Sequence, residues 1–542
     1  MRDANDNPAQ RQLQTLIAAA LRDPATYQDS AHQVGDLPLS PIRVCETHIS
    51  WIALVGTWAY KVKKAVRFDY LNYETLALRR VACEAELALN RRWAPELYLG
   101  ISRLVDTGHG LRFDAEGEPL DYAVRMRRFA TGDELDALVG ANTVRACELA
   151  TFGTDIAALQ EAATIMRTPA RRTVLDALRQ TAADPALPWP RDSCAHLLCW
   201  ARSTWTDLEP AFEARRVAGR VRECHGDLHC GNVVRFDGRL VPFDGIDFDP
   251  ALRFIDVASD VAFLVMDLES RNRADLAMSF LSAWLERSGD YAAAAGLPIL
   301  LTYRALVRAR IETTRAGQTT GDDGDAHRQR SACYLQLALH YTNRAVGSIV
   351  LMHGLSGAGK SVVAAGLVTT LPAVRVRSDV IRLQAPTPQS ATPADRPGGD
   401  GRYSQAALAD NYRRLCEVTG ALVIAGFNVI VDATFLDETQ RLSFRDLARR
   451  HGSPVSIVSC IAPVGVLRER VRARAGDPSE ATLAVLETQI TTATPLSAEE
   501  LALTLAVATD SPLDPMAAAL RLGAIWAVQR AAMRSRAAEH NA

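Results

Sequence analysis

The chain has 542 residues, with 61 Lys and Arg against 63 Asp and Glu and a net charge near −2. That length exceeds one hydrophobic core and points to several domain-sized units. The near-cancelling charge gives no support for a protein that coats nucleic acid, leaving only a local groove for such a partner. The opening Met1-Arg-Asp-Ala-Asn-Asp-Asn-Pro8 is polar, unlike a secretory signal, and no apolar run reaches the length of a membrane span. Ten scattered cysteines without a Cys-x-x-Cys pair fit reduced thiols, so a cytoplasmic protein away from membranes is expected.

Residues 45–65 alternate and predict strands, with Gly56-Thr57 as the hairpin turn. The strand end Trp58-Ala-Tyr-Lys61-Val-Lys63-Lys64 places Lys61 and Lys63 on one face, because strand side chains alternate. Residues 74–92 predict a helix carrying Glu84 and Glu86. Helical Ala/Leu spacing dominates 133–215, broken at Pro188-Trp189-Pro190, and 219–249 return to strand and loop. Helices resume over 256–315; 316–327, rich in Gly, Asp and Thr, read as a loop, and 328–343 as a helix leading to a boundary near 345. The expectation is a small β-rich lobe followed by a larger helical one.

The segment His225-Gly-Asp-Leu-His-Cys-Gly-Asn232 sets an Asp and an Asn five residues apart, and Phe243-Asp-Gly-Ile-Asp-Phe-Asp249 adds a second acidic cluster. Between them, 233–235 and 240–243 read as strands around an Asp237-Gly238 turn, which returns Asp244 toward Asn232. Mg-ATP phosphoryl transfer needs this inventory: one carboxylate to accept a hydroxyl proton, and an Asn and an Asp to hold metal. A zinc site from His225, His229 and Cys230 lacks a fourth ligand at a recognisable spacing.

The segment resembles the catalytic loop of protein-kinase-like enzymes, and specifically the aminoglycoside phosphotransferase family, in which His-x-Asp-x-x-x-x-Asn precedes a strand hairpin and a metal-binding Asp. The resemblance implies Asp227 as catalytic base and Asn232 and Asp244 as metal ligands, with Asp247 as the alternative to Asp244. His225 is expected to orient the loop, and Asp260 in Ile255-Asp-Val-Ala-Ser-Asp260 to be structural. It also implies a phosphate-binding lysine, for which Lys61 and Lys63 both stay open, partnered by Glu86 ahead of Glu84. No Gly-x-Gly-x-x-Gly precedes Lys61, which argues against a protein kinase more than against phosphoryl transfer.

Gly354-Leu-Ser356-Gly357-Ala358-Gly359-Lys360-Ser361 fits the P-loop pattern, after the apolar strand Ser348-Ile-Val-Leu-Met352 and before a helix over 361–370. Glycines let backbone N–H groups approach phosphates closely, and the helix N-terminus adds a favourable dipole. Lys360 is expected at the β/γ-phosphates and Ser361 at Mg²⁺. Val374-Arg-Val-Arg-Ser-Asp379-Val-Ile-Arg382 begins with a strand whose carboxyl end carries Asp379, where ligands bind in open α/β folds. This part resembles P-loop kinases related to the 5′-hydroxyl kinase half of phage polynucleotide kinase, which implies Asp379 as base and Arg382 as substrate clamp.

Residues 384–403, crowded with Pro, Gly, Thr and Asp, predict a mobile loop near the substrate. Asp432 ends the strand Asn428-Val-Ile-Val-Asp432 and reads either as a Mg²⁺ or substrate contact or as a cap. In Leu467-Arg-Glu-Arg470-Val-Arg-Ala-Arg474, Arg470 and Arg474 share a helix face. In related small kinases a lid arginine meets the transferred phosphoryl group; the plainer reading is a solvated face.

The expected architecture is a protein-kinase-like α+β bilobal domain over 1–345, followed by an α/β P-loop NTPase domain over 346–542 with a mostly parallel sheet. This order resembles the bifunctional aminoglycoside phosphotransferase/ATP-binding proteins, a name that does not establish an antibiotic acceptor. It implies ATP and Mg²⁺ at two kinase-type sites acting on hydroxyls of small molecules. The alternatives are a P-loop half acting on nucleic-acid 5′ ends, and a non-catalytic ATP-gated module.

Overall fold

Alternating apolar residues build the first sheet. In the computed structural model, which describes residues 8–28, 41–68, 71–167, 174–184, 187–384, 405–473, 482–511 and 514–541, β1 (Arg43–Glu46), β2 (Ser50–Val55) and β3 (Trp58–Lys63) pair antiparallel. Val55 faces Trp58 across the two-residue turn Gly56-Thr57, where Gly56 takes φ 53°, as a type II′ hairpin requires. β4 (Tyr98–Asp106), β5 (Leu111–Phe113) and β6 (Pro119–Arg127) complete a six-stranded sheet in the order β1-β2-β3-β6-β4-β5. Tyr60 and Val62 of β3 enter one core cluster and Ala59 the opposite one, so Lys61 and Lys63 lie on the Ala59 face.

The helix Leu76–Trp93 is capped by Thr75, whose side chain accepts the Leu78 N–H at 3.2 Å. Its buried positions 79, 83, 86, 90 and 93 form one stripe, which includes an acid, Glu86. Farther along the chain, β7 (Val233–Phe236) and β8 (Arg239–Pro242) form a hairpin whose turn residues Asp237 and Gly238 have φ 47° and 79°, a type I′ turn.

The chain divides by contact into two compact units. The first comprises Met1–Val144, Ala162–Thr173 and Glu213–Leu264, and the second Arg145–Glu161, Val174–Phe212 and Val265–Ala542. This division differs from a single cut near 345, because helices on both sides of that position pack into the second unit.

In the second unit, 316–327 is not a loop. The helix Leu297–Gln318 runs on, and the helix Asp322–Thr342 starts after only three residues. Asp322, Asp323 and Asp325 occupy its first turn, where carboxylates meet the positive end of the helix dipole, so an acidic stretch is helical here.

The same unit holds β9 (Ile349–His353), β10 (Ala373–Arg377), β11 (Asn428–Asp432), β12 (Val455–Ile461) and β13 (Thr504–Ala508). All five are parallel, in the order β10-β11-β9-β12-β13, and buried Val, Ile and Leu fill the central strands. The order reverses about β9, so a crevice opens at its carboxyl end. The edge strand β10 is covered by the helix Ala274–Ser288: Arg375 N–H donates to Ser282 Oγ at 3.0 Å, and Arg377 pairs with Glu286 at 2.9 Å.

In the same unit Arg441 and Glu500 are fully buried and paired at 2.8 Å, and Arg441 also donates to the carbonyls of Phe435 and Pro495 at 3.0 Å each. Removing one partner leaves a buried charge uncompensated. Arg441→Met is therefore expected to cost about 3–5 kcal/mol, read as an earlier urea unfolding transition; an unchanged transition would show that the pair gives no net stabilisation.

Candidate active sites

The first site grows from the acid in the buried stripe of Leu76–Trp93. Glu86 accepts from Lys61 Nζ at 2.8 Å through one oxygen and from Lys63 Nζ at 2.7 Å through the other. Lys61 also reaches Asp244 Oδ1 at 2.6 Å, and Lys63 reaches Asp247 Oδ2 at 2.9 Å and Tyr73 Oη at 3.3 Å. Burial works against the charge on Lys61, but Asp244 and Glu86 outweigh it and raise its pKa well above the usual value. Burial would likewise push Glu86 up, yet the two lysines hold it well below the usual carboxylate range. Burial wins at Asp247: despite Lys63, that carboxyl is pushed up, and like-charged Glu86 adds to the shift.

These contacts separate the residues that the sequence leaves open. Lys61 lines a cavity of about 210 Å³ with Ile52, Ala59, Met126, Phe243 and Asp244. Lys63 does not line that cavity and is 1% exposed, enclosed by Glu86, Asp247 and Tyr73. Asp244 keeps its side chain 49% exposed, whereas Asp247 is 10% exposed beside Lys63. Glu84 forms an exposed pair with Arg80, one turn away on its own helix.

Asp244 adopts φ 60°, a costly conformation for a residue with a Cβ. Its N–H donates to Tyr98 Oη at 3.0 Å, and the next N–H, of Gly245, donates to Asn90 Oδ1 at 2.8 Å. Neither Tyr98 nor Asn90 stands out in the sequence, because both act from elements remote in the chain.

The loop carrying Asp227 is pinned from below. The N–H groups of His225 and Gly226 donate to the fully buried Asp260 carboxylate at 2.7 and 2.9 Å, and His225 Nε2 bonds Phe243 O at 3.0 Å. Burial pushes the His225 imidazole below its usual value, as suits an orienting group. The β7–β8 hairpin returns Phe243 N–H to Asn232 O at 2.9 Å, which brings Asp244 beside Asn232. Asn232 Nδ2 donates to Asp227 Oδ2 at 3.0 Å.

The second site is the crevice above β9. Gly354 takes φ 139°, and a Cβ there would lie 2.5 Å from Cys460 O; at Gly357, φ 83°, a Cβ would lie 2.8 Å from Leu467 O. Only glycine fits either position. Lys360 Nζ folds back onto the carbonyls of Gly354 and Leu355, at 2.9 Å each. Ser356 N–H donates to Gln489 Oε1 at 2.8 Å, while Ala358 is buried and its N–H bonds Leu355 O at 3.1 Å. Gln489, on the helix Leu483–Thr492, is a P-loop contact that the sequence does not announce.

Gly359, Lys360, Ser361, Asp379, Asp432 and Arg470 line a cavity of about 1170 Å³ there. Asp379 opens the helix Ser378–Gln384 at the end of β10 and pairs with Arg382, also in the cavity wall, at 2.9 Å. Asp432 is 7% exposed and is held by Arg375 of β10, whose Nε lies 3.2 Å away. Arg470 donates to Thr509 O at 2.7 Å and to Gly357 O at 3.4 Å, which ties its helix to the P-loop. Arg474 and the expected mobile loop beyond Gln384 lie outside the described residues.

The donor sets fit a nucleotide polyphosphate with a divalent cation. The glycine cradle needs a ligand with close-packed oxygens, and each cavity has a lysine in its wall. Among the described residues no cluster of three or more His, Cys, Asp or Glu could hold a metal unaided. A hard cation here would share oxygen from Asn232 and Asp244, or from Ser361, with phosphate and water.

A phosphotransferase enzyme family model matches residues 81–297, and an AAA domain model matches residues 349–496. An uncharacterized protein of Mycobacterium tuberculosis is 31% identical over 469 residues, covering 83% of this chain and 90% of that one, and one of Mycobacterium bovis matches equally. The chain belongs to the bifunctional aminoglycoside phosphotransferase/ATP-binding protein family. As a member of that family it is a phosphotransferase enzyme.

Among solved structures it is similar to aminoglycoside 2'-phosphotransferase-IIIa in its GDP complex, at 13% identity and TM-score 0.35 over 62% of this chain and 98% of that one. It is also similar to a gluconokinase from Sinorhizobium meliloti, at 23% identity and TM-score 0.24 over 36% of this chain and 96% of that one.

The depressed Glu86 predicts an acid-labile site. A carboxylate lowered in the fold stabilises it above its unfolded value near 4.5, and that contribution fades as pH falls below this value. The stability difference between the wild type and Glu86→Gln, measured by urea unfolding, is expected to be constant near neutrality and to shrink below about pH 4.5. A difference independent of pH would show that Glu86 is not charged in the fold.

Proposed function

We propose that both sites are active and that each moves the γ-phosphoryl group of Mg-ATP to a hydroxyl of a small-molecule acceptor. What supports this reading is that each of two sites in one chain brings a lysine together with the carboxylates of its motif. Lys360 and Asp379 both line the P-loop cavity. In the first unit Lys61 meets Asp244, and Asp244 adjoins the Asn232 that bonds Asp227.

Asp227 and Asp379 act as general bases. Each takes the acceptor's hydroxyl proton as that oxygen bonds to the γ-phosphorus and the bond to the ADP oxygen breaks. Lys61 and Lys360 meet the phosphate charge. Arg382 orients the acceptor at the P-loop site, and Arg470, with Arg474 beyond it, offsets charge developing on the transferred group. Asn232 and Asp244 in one site and Ser361 in the other would hold Mg²⁺, whose chemistry there would be to neutralise phosphate charge. Asp432, neutralised by Arg375, supports that site at one remove.

Small acceptors suit a near-neutral chain whose larger cavity is about 1170 Å³. A cytoplasmic location suits cysteines that form no disulfide.

Transfer from γ-labelled ATP into a panel of polyols, sugars, sugar acids and amino alcohols tests this reading. Asp227→Asn and Asp379→Asn are each expected to remove a different product, with a loss of about 10²–10⁴-fold. Products untouched by either substitution would contradict the assignment of the bases.

A further inference from the structure

His229 lies within the catalytic loop, and no role in the reaction falls to it from the motif alone. We propose that it is a positioning residue for Asp227, an assignment that rests on the reading of Asp227 as a base. The imidazole caps the short helical turn Cys230–Asn232, and its Nδ1 accepts the Gly231 N–H at 3.0 Å. A ring nitrogen that accepts carries no proton, so in the neutral ring the proton sits on Nε2. Nε2 lies 3.4 Å from Asp227 Oδ2. That oxygen also receives the Asn232 amide at 3.0 Å, and the same amide nitrogen bonds the Asp227 carbonyl at 3.0 Å.

One carboxylate oxygen thus stands between two donors of one loop, which sets the plane in which Asp227 meets an acceptor. The separation from Nε2 is longer than an ideal hydrogen bond, as is common before substrate draws a site together. The ring cannot readily turn away. It is 12% exposed, packs edge-on to Phe263 with centroids 5.4 Å apart, and passes over Gly231, where a Cβ would come within 3.0 Å of Cε1. A residue needed only as a cap would not require a second nitrogen facing the carboxylate.

Two substitutions separate the two nitrogens. His229→Asn keeps an acceptor for the Gly231 N–H but removes the donor toward Asp227. His229→Gln restores a donor at the reach of Nε2 and gives up the ideal cap. Both are compared in the full chain carrying Lys360→Ala, which silences the P-loop site. The probe is Mg-ATP with water as acceptor, and phosphate release is followed to yield kcat and KM.

The proposal expects His229→Asn to lower kcat roughly tenfold or more with KM for ATP little changed, and His229→Gln to recover most of the rate. Full activity in His229→Asn, or equal loss in both variants with an earlier thermal transition, would overturn it and leave His229 a cap. Asp227→Asn in the same background separates the underlying reading: if release does not depend on Asp227, that reading fails and this proposal falls with it.

Discussion

An ammonium group held away from water needs carboxylates around it, and in this protein one carboxylate, Glu86, serves two such groups. It joins β3, through Lys61 and Lys63, to the helix Leu76–Trp93. The two lysines in turn draw in Asp244 and Asp247 from the segment after the β7–β8 hairpin. Three parts of the first unit, distant in sequence, thus meet at a single buried acid. The division of labour follows from depth. Lys63 and Asp247 are enclosed and lock the arrangement, while Lys61 and the half-exposed Asp244 face the cavity.

The second unit meets the same chemical demand by another route. Instead of a buried ion network it uses backbone. Glycines at 354 and 357, where any Cβ would collide with a carbonyl, let the loop pack tightly at the carboxyl end of a parallel sheet. Its lysine, Lys360, donates to the loop carbonyls of Gly354 and Leu355. The side chains in the cavity wall are steadied from behind: Asp432 by Arg375, Arg377 by Glu286, and the P-loop by Gln489 and Arg470.

Much of this was legible in the sequence where the chemistry is contiguous. The P-loop octet, the Asp227–Asn232 spacing and the Asp237-Gly238 turn each lie within a few residues, so local rules suffice. Lys61 and Lys63 could not be separated, because alternation puts both on one face; only the enclosure by Tyr73 and Asp247 distinguishes them. The nine-residue strands Tyr98–Asp106 and Pro119–Arg127 went unread, since their burial alternates only in part. The stretch 316–327 looked like a loop because Asp and Gly suggest turns, yet the same acids suit the first turn of a helix. Gln489, Arg375, Tyr98 and Asn90 act across long sequence separations, which no local pattern encodes.

Two independent nucleotide sites of different construction in one chain would each bind nucleotide without the other. Calorimetric titration of the full chain with a non-hydrolysable ATP analogue and Mg²⁺ tests this most directly, with Lys61→Met and Lys360→Ala run beside the wild type. Two sites per chain are expected in the wild type and one in each variant. A single site in the wild type, lost in one variant and untouched in the other, would contradict it.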